Sequence, residues 1–397
     1  MAGWTTTTEL TDLFALCATD PTPCPFTGPH TPQPASRKIV LDPDGDLLLQ
    51  VGESGCASAT GEHDLVTPVV FVSCSKSLSR ASAVWKRLLY GGFAESRGAG
   101  SGNWEVQLPD DNIKAMTMVL AIIHGRFELL PPVDGSIGLE DLYQLTVLTD
   151  KYDLTRLLRP WARSWLQNSQ KNKTATLGAT PSERRIWIAW ELGDRQLFQA
   201  ALEDLVLNSS AHARDQHLSS IGRNELFSNS LEPLGVQDHI KSNRLNAITT
   251  LLDLYQTALT KLLAKTPATR EPYGYHPIVP AKACVAKIDP WRQYEQRQCD
   301  LIMLGSLIES LSWSGLWPLP AASCFQESLL DLASKLKSLK CESFREVGDG
   351  GSRHSNCHPM PDGAQQIDAI LASIRTQPTD DQLRHLETQA KKSGLRV

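Results

Sequence analysis

The sequence has no run that approaches the ~20 consecutive apolar residues needed to span a membrane. Its opening, MAGWTTTTELTDLF, has neither the basic region nor the apolar stretch of a secretory leader. No Gly-rich phosphate loop, GxSxG or HExxH is present, and the GDGG run at 348–351 lacks the lysine that a phosphate loop requires. Excess charge of one sign is also missing. The 39 basic residues face 44 acidic ones, a net charge of -5, which gives no general drive toward nucleic acid or an anionic membrane. Small lysine groups at Lys171 and Lys173, and at Lys335, Lys337 and Lys340, read as solvated faces. Cysteine is not scarce, but its nine copies are odd in number and scattered, which argues against a secreted disulfide framework. A reducing, intracellular setting is the expectation, nucleus or cytoplasm. Binding rather than catalysis is the function class left open, with an enzyme built on an unrecognised site in the C-terminal region as the remaining alternative.

What is present is an ordered succession of short strands and amphipathic helices. Residues 1–38 are rich in Thr and Pro and read as an extended, flexible tail. Asp44-Gly45-Asp46 reads as a turn before a strand at 47–51, and 69–72 as the returning strand of an antiparallel hairpin. A helical segment opens at Ser75, with Trp85, Leu88 and Leu89 on its apolar face, and Trp104 to Leu108 alternates as a third strand stopped by Pro109. Asp110 or Asp111 caps the next helix, which Gly125 ends. Further helices are expected from Gly138, and over 154–165 with Trp161 and Trp165 on one stripe. Residues 168–180, QNSQKNKTATLGAT in part, form a linker, and 181–340 are helical, with a long helix carrying Ile248, Leu252, Tyr255, Leu259 and Leu262. Residues 341–397 are a Cys/His-bearing loop and tail, with short helices near 365–375 and 380–391. The fold class is therefore α+β: a small sheet covered by helices, followed by a mostly α-helical region.

The segment 41–167 resembles the BTB/POZ domain, in its divergent fungal form. The resemblance rests on DPDGDLLLQVG, FVSCSKSLSRASAVW, VQLPDDNIKAMTMVLAIIHGRF and LTDKYDLTRLLRPWARSWL, in that order and spacing. The run RRIWIAWELGDRQLFQAALEDLVL is similar to the BACK-like helical extension that follows such domains. The resemblance implies a protein-interaction scaffold or adaptor, with partners such as a cullin-type ubiquitin ligase scaffold or a second copy in a homodimer. A nuclear transcription-associated factor that self-associates through the domain is the alternative. The charge balance and the lack of a long apolar run lead us to expect no nucleic-acid or membrane partner. The resemblance also makes the Asp150-Lys151-Tyr152 turn structural, with the aromatic packed between helices.

One cluster has metal-ligand chemistry. Cys341, His354, Cys357 and His358 lie within eighteen residues, and zinc takes thiolate and neutral imidazole ligands in a tetrahedron. Cys324, Cys299 or Cys284 could supply a further ligand. The expectation is one structural zinc ion, or else a helix-end Cys341 beside a loop of unligated side chains. The remaining candidates read as structural. Asp110-Asp111 and Asp380-Asp381 sit at helix starts, where negative charge meets the macrodipole. Cys74 ends a strand, and His124 finishes a helix.

Overall fold

The computed structural model describes residues 37–52, 67–97, 103–132, 137–171, 181–211, 218–219, 225–264, 283–287, 293–344, 353–374 and 376–395. The expected tail before residue 37, most of the expected linker (172–180), and the loops 53–66, 98–102, 265–282 and 345–352 lie outside the described residues. The chain divides into two compact units. One is drawn from Met1–Ala175, Ile188–Asp194 and Arg384–Val397, the other from Thr176–Trp187 and Arg195–Leu383. Among the described residues no helix is long and apolar enough to cross a membrane.

The first unit is built on a four-stranded mixed sheet. Its strands are β1 (Arg37–Val40), β2 (Leu47–Val51), β3 (Val69–Ser73) and β4 (Glu105–Leu108), in the order β1-β3-β2-β4. β2 pairs antiparallel with β3, the returning strand expected from the sequence, and parallel with β4. β1, parallel to β3, is a strand that the proline-rich approach concealed; its residues 37–40 follow the last proline of that stretch, Pro34. The two-residue period decides which face is covered. Leu47, Leu49 and Val51 are fully buried while Leu48 and Gln50 are half-buried.

Helices α1 (Ser75–Ala81) and α2 (Ala83–Tyr90) replace the single helical segment expected there. Ser82 separates them in extended conformation; its hydroxyl accepts from the Trp85 N–H and donates to the Tyr152 carbonyl. α3 (Ile113–Ile123) is capped by Asn112, not by Asp110 or Asp111. Asp111 instead turns inward, accepting 2.6 Å hydrogen bonds from Lys151 Nζ and Tyr152 Oη. α4 (Leu139–Lys151) follows. The expected helix over 154–165 is a 3-10 turn at Thr155–Leu158 and then α5 (Ala162–Lys171), because Pro160 cannot donate to a continuous ladder. Trp161 and Trp165 are buried and stacked at 5.7 Å, which makes them core rather than surface.

A second buried node involves α6 (Pro181–Leu192) and α12 (Asp380–Ser393). Glu191 is inaccessible to solvent and accepts from Thr149, Thr155 and, at 2.8 Å, Gln389. Burial outweighs these donors and pushes its carboxyl up to about 8. Gly193 has φ +78°, and a Cβ there would lie 2.1 Å from the Ala390 nitrogen.

In the second unit the long helix α8 spans Val236–Leu263, beginning well before the expected 248. Its face bearing Ile248, Leu251, Leu252, Tyr255 and Leu259 packs with α9 (Gln293–Trp313), α10 (Leu329–Ser338) and α11 (Gly363–Ser373) around one core. α7 (Arg195–Asn208) packs on α8 as well. Ser328 caps α10 by accepting from the Asp331 N–H at 3.1 Å. Tyr255 Oη donates at 2.6 Å to the Leu336 carbonyl near the end of α10, and Arg244 donates to the carbonyls of Ser209, Phe325 and Glu327.

Two stability outcomes are expected. Tyr152→Phe leaves a buried Asp111 oxygen without its hydroxyl donor and should cost ~1–3 kcal/mol in chemical denaturation. The raised Glu191 group binds its proton more tightly folded than unfolded. Its stabilising contribution is therefore complete below the unfolded value near 4.5 and lost as pH rises toward about 8. Stability across that window should fall by up to about 1.4 kcal/mol per pH unit, and Glu191→Gln should flatten the profile.

Candidate metal centre

Four side chains from three separate segments converge in the second unit. Cys284 lies on the short stretch 283–287, Cys299 in the second turn of α9, and His354 and Cys357 in a turn closed by a 2.9 Å bond from the Cys357 N–H to the His354 carbonyl. An i, i+3 turn of this kind points both side chains to one side, so that they act as a pincer. Their ligand atoms all lie within 4.8 Å of one another. His354 Nδ1 stands 3.2 Å from Cys284 Sγ and 3.8 Å from Cys357 Sγ, and the two sulfurs are 3.6 Å apart.

These separations discriminate between occupants. A disulfide needs sulfurs at about 2.05 Å, so the cysteines are free thiols. A tetrahedral zinc with Zn–S about 2.3 Å and Zn–N about 2.0 Å sets neighbouring ligand atoms roughly 3.5–3.8 Å apart. The spacings among Cys284, His354 and Cys357, 3.2 to 3.8 Å, overlap that range, and a Cys3His set is a donor combination that structural zinc uses. With four protein donors the coordination sphere is full, so the ion would cross-link and would have no open position for a substrate.

The surroundings hold the ligands in place. Asp300, next to Cys299 and itself buried, accepts the N–H groups of Ala283 and Cys284 at 3.1 and 2.9 Å. Gln296, one turn earlier on α9, donates to the Ala286 carbonyl at 2.8 Å. The stretch bearing Cys284 is thus tied to the helix bearing Cys299. Phe344 meets the His354 ring edge-on at 5.3 Å. Burial raises the thiol pKa of Cys284 and Cys299; the neighbouring sulfurs raise Cys284 further, while at Cys299 Cys357 raises and the contact with Cys284 lowers. The Ala286 N–H opposes this at Cys284 and the Phe344 N–H at Cys299. A divalent cation reverses the balance by favouring thiolates, and those N–H donors then serve the sulfur charge.

The structure brings together part of the expected ligand set and replaces the rest. His354 and Cys357 are in the cluster, completed by Cys284 and Cys299. Cys341 is not: its thiol donates to the Met303 carbonyl at 3.5 Å, and burial pushes it up to about 11. His358 is not: its Nδ1 accepts from the Met360 N–H at 3.0 Å, which fixes the ring locally. Cys324 is exposed in a 3-10 turn at Ala322–Cys324. The His-x-x-Cys spacing was the usable sequence signal. The positioning roles of Asp300 and Gln296 had none, since both depend on a contact across the loop. No protein-family model, curated protein or solved structure matches this chain.

Metal analysis of the purified protein should give equimolar zinc. Cys299→Ser and Cys357→Ala should each lose it, whereas Cys341→Ser and His358→Ala should keep it. The reverse pattern would restore the ligand set expected from the local sequence. Because uptake displaces thiol protons, apparent zinc affinity should rise with pH in a competitive chelator titration.

Proposed function

We propose that the chain is an intracellular protein-interaction scaffold or adaptor. In this reading residues 39–167 form a BTB/POZ-like module and the helical region behind it is a BACK-like extension stapled by one structural zinc. The specific form favoured is a substrate-recruiting subunit that engages a cullin-type ubiquitin ligase scaffold. The observation that carries the reading is the arrangement around β2. The two opening strands and the strand after Trp104 share one sheet, and helices of the same unit cover it, in the chain order that the resemblance implies. A second support is surface chemistry. Tyr90, Phe93 and Phe127 stand at 49%, 55% and 56% exposure in this unit, the kind of aromatic side chain that anchors partner interfaces. In this reading the four-donor metal centre serves architecture, and the chain acts by recruitment.

Calorimetric titration of the full chain against the N-terminal region of a cullin scaffold tests this. Saturable binding is expected, weakened at least tenfold in a Phe93→Glu, Phe127→Glu double variant whose circular dichroism and melting temperature are unchanged. No heat of binding at high micromolar concentration removes the ligase role. A chain that is also monomeric by sedimentation removes self-association, the other activity the resemblance implies.

A further inference from the structure

The metal cluster contains an adjacent pair of cysteines on two different segments, and that geometry has a redox consequence. Cys284 Sγ and Cys357 Sγ are 3.6 Å apart, so side-chain rotations that close about 1.5 Å bring them to bonding distance. They differ in setting. Cys357 is buried, while Cys284 is half-buried, flanked by buried Ala283 and by Val285, which is 67% exposed. Cys299, the third thiol, is fully buried on α9 and is held there by the helix. Of the three thiols Cys284 belongs to the least buried residue, and the Cys357 sulfur already stands beside it.

We propose that the Cys284–Cys357 pair is an oxidisable latch: a peroxide converts it to a disulfide and the zinc is released. The inference rests on the zinc reading of the cluster. In the balanced step, one bound thiolate attacks a peroxide oxygen, breaking the O–O bond and giving a sulfenic acid and one water after protonation. The second thiolate attacks that sulfur and expels hydroxide, which takes up a proton as the second water. Two electrons pass from the two sulfurs to hydrogen peroxide, and two protons are consumed. Cys299 and His354 alone then face the cation, which dissociates as Zn2+ as Cys299 takes up a proton. A thiol reductant reverses the change by disulfide exchange, and zinc rebinds.

The structural readout is confined. The cysteines of the cluster join a small satellite core with Leu262, Ala283, Ala286 and Met303, whereas the main core of the unit is formed by other side chains of α8, α9, α10 and α11. Oxidation should loosen the 283–287 and 353–358 segments and leave the main core intact.

The test uses the full chain as purified, with its zinc, titrated with hydrogen peroxide in the presence of a chromogenic zinc chelator. Release of equimolar zinc is expected, in step with one disulfide that peptide mass spectrometry places between Cys284 and Cys357. Dithiothreitol and added zinc should restore metal content. Cys341→Ser, which leaves the ligand set whole, should behave as the parent chain. Zinc retained at a peroxide dose that fully oxidises the exposed Cys324 overturns the latch alone. So does zinc released with a different disulfide or with sulfinic acid only. Protein purified with no zinc, and unable to take it up, overturns the metal reading and the latch with it.

Discussion

Asp300 accepts two backbone N–H groups from residues 283 and 284, and much of the second unit's distinctive chemistry depends on that clamp. A short stretch of chain outside helix and sheet gains its fixed position from contacts such as this one. Anchoring it at the helix that bears Cys299 fixes where the Cys284 sulfur stands and so makes a four-donor cluster geometrically attainable. A satellite core of a few small and sulfur-bearing side chains offers little buried apolar area. At ~25 cal/mol per Å2 such a cluster contributes far less than the leucine-rich core beside it. A cross-linking ion is the physical means by which a region of this kind becomes as well determined as the rest.

The first unit solves a different problem, that of placing polar groups inside a helix-covered sheet. At several of them its answer is a partner drawn from a distant element. Tyr152 stacks on Trp85 at 4.5 Å, donates its hydroxyl to Asp111 and accepts the Ser82 hydroxyl at its carbonyl. One residue thereby joins the junction of α1 and α2, the approach to α3 and the end of α4. Burial and the adjacent carboxylate both keep its phenol protonated well above the ordinary range. The Ser75 and Asp46 pair does the same for the start of α1, with Asp46 accepting from both the N–H and the hydroxyl of Ser75. Such contacts set which helix follows which strand at what angle, something apolar area, being non-directional, leaves loose.

The features legible in the sequence were those with a period. The alternation of Leu47, Leu49 and Val51, the helical stripe from Ile248 to Leu262 and the Leu329–Leu332–Leu336 face all lie where periodicity places them. Boundaries governed by a single side chain were less accessible. Asn112 took the cap in place of the adjacent aspartates because Asp111 was needed inside, a demand created by Lys151 and Tyr152 about 40 residues later. The contact of the Cys74 N–H with His124 Nε2, at 2.9 Å across 50 residues, has no local signature either. The metal cluster was half legible for the same reason. His354 and Cys357 are neighbours in sequence, whereas Cys284 and Cys299 arrive by way of the fold, and proximity in sequence drew attention to Cys341 and His358 instead.

The close approach at Gly193 has a practical reach. The backbone there lies against α12 with no room for a side chain, while Leu386 and Ala390 of that helix are buried, Gln389 reaches Glu191 and the Ser393 hydroxyl reaches the Leu192 carbonyl. One face of residues 384–395 is thus built into a unit whose sheet lies more than two hundred positions earlier. An expression design that trims them as a dispensable end would strip a buried carboxylate of its amide donor and open a trench along α6. The damage would be felt in the sheet-and-helix module rather than at the site of the cut.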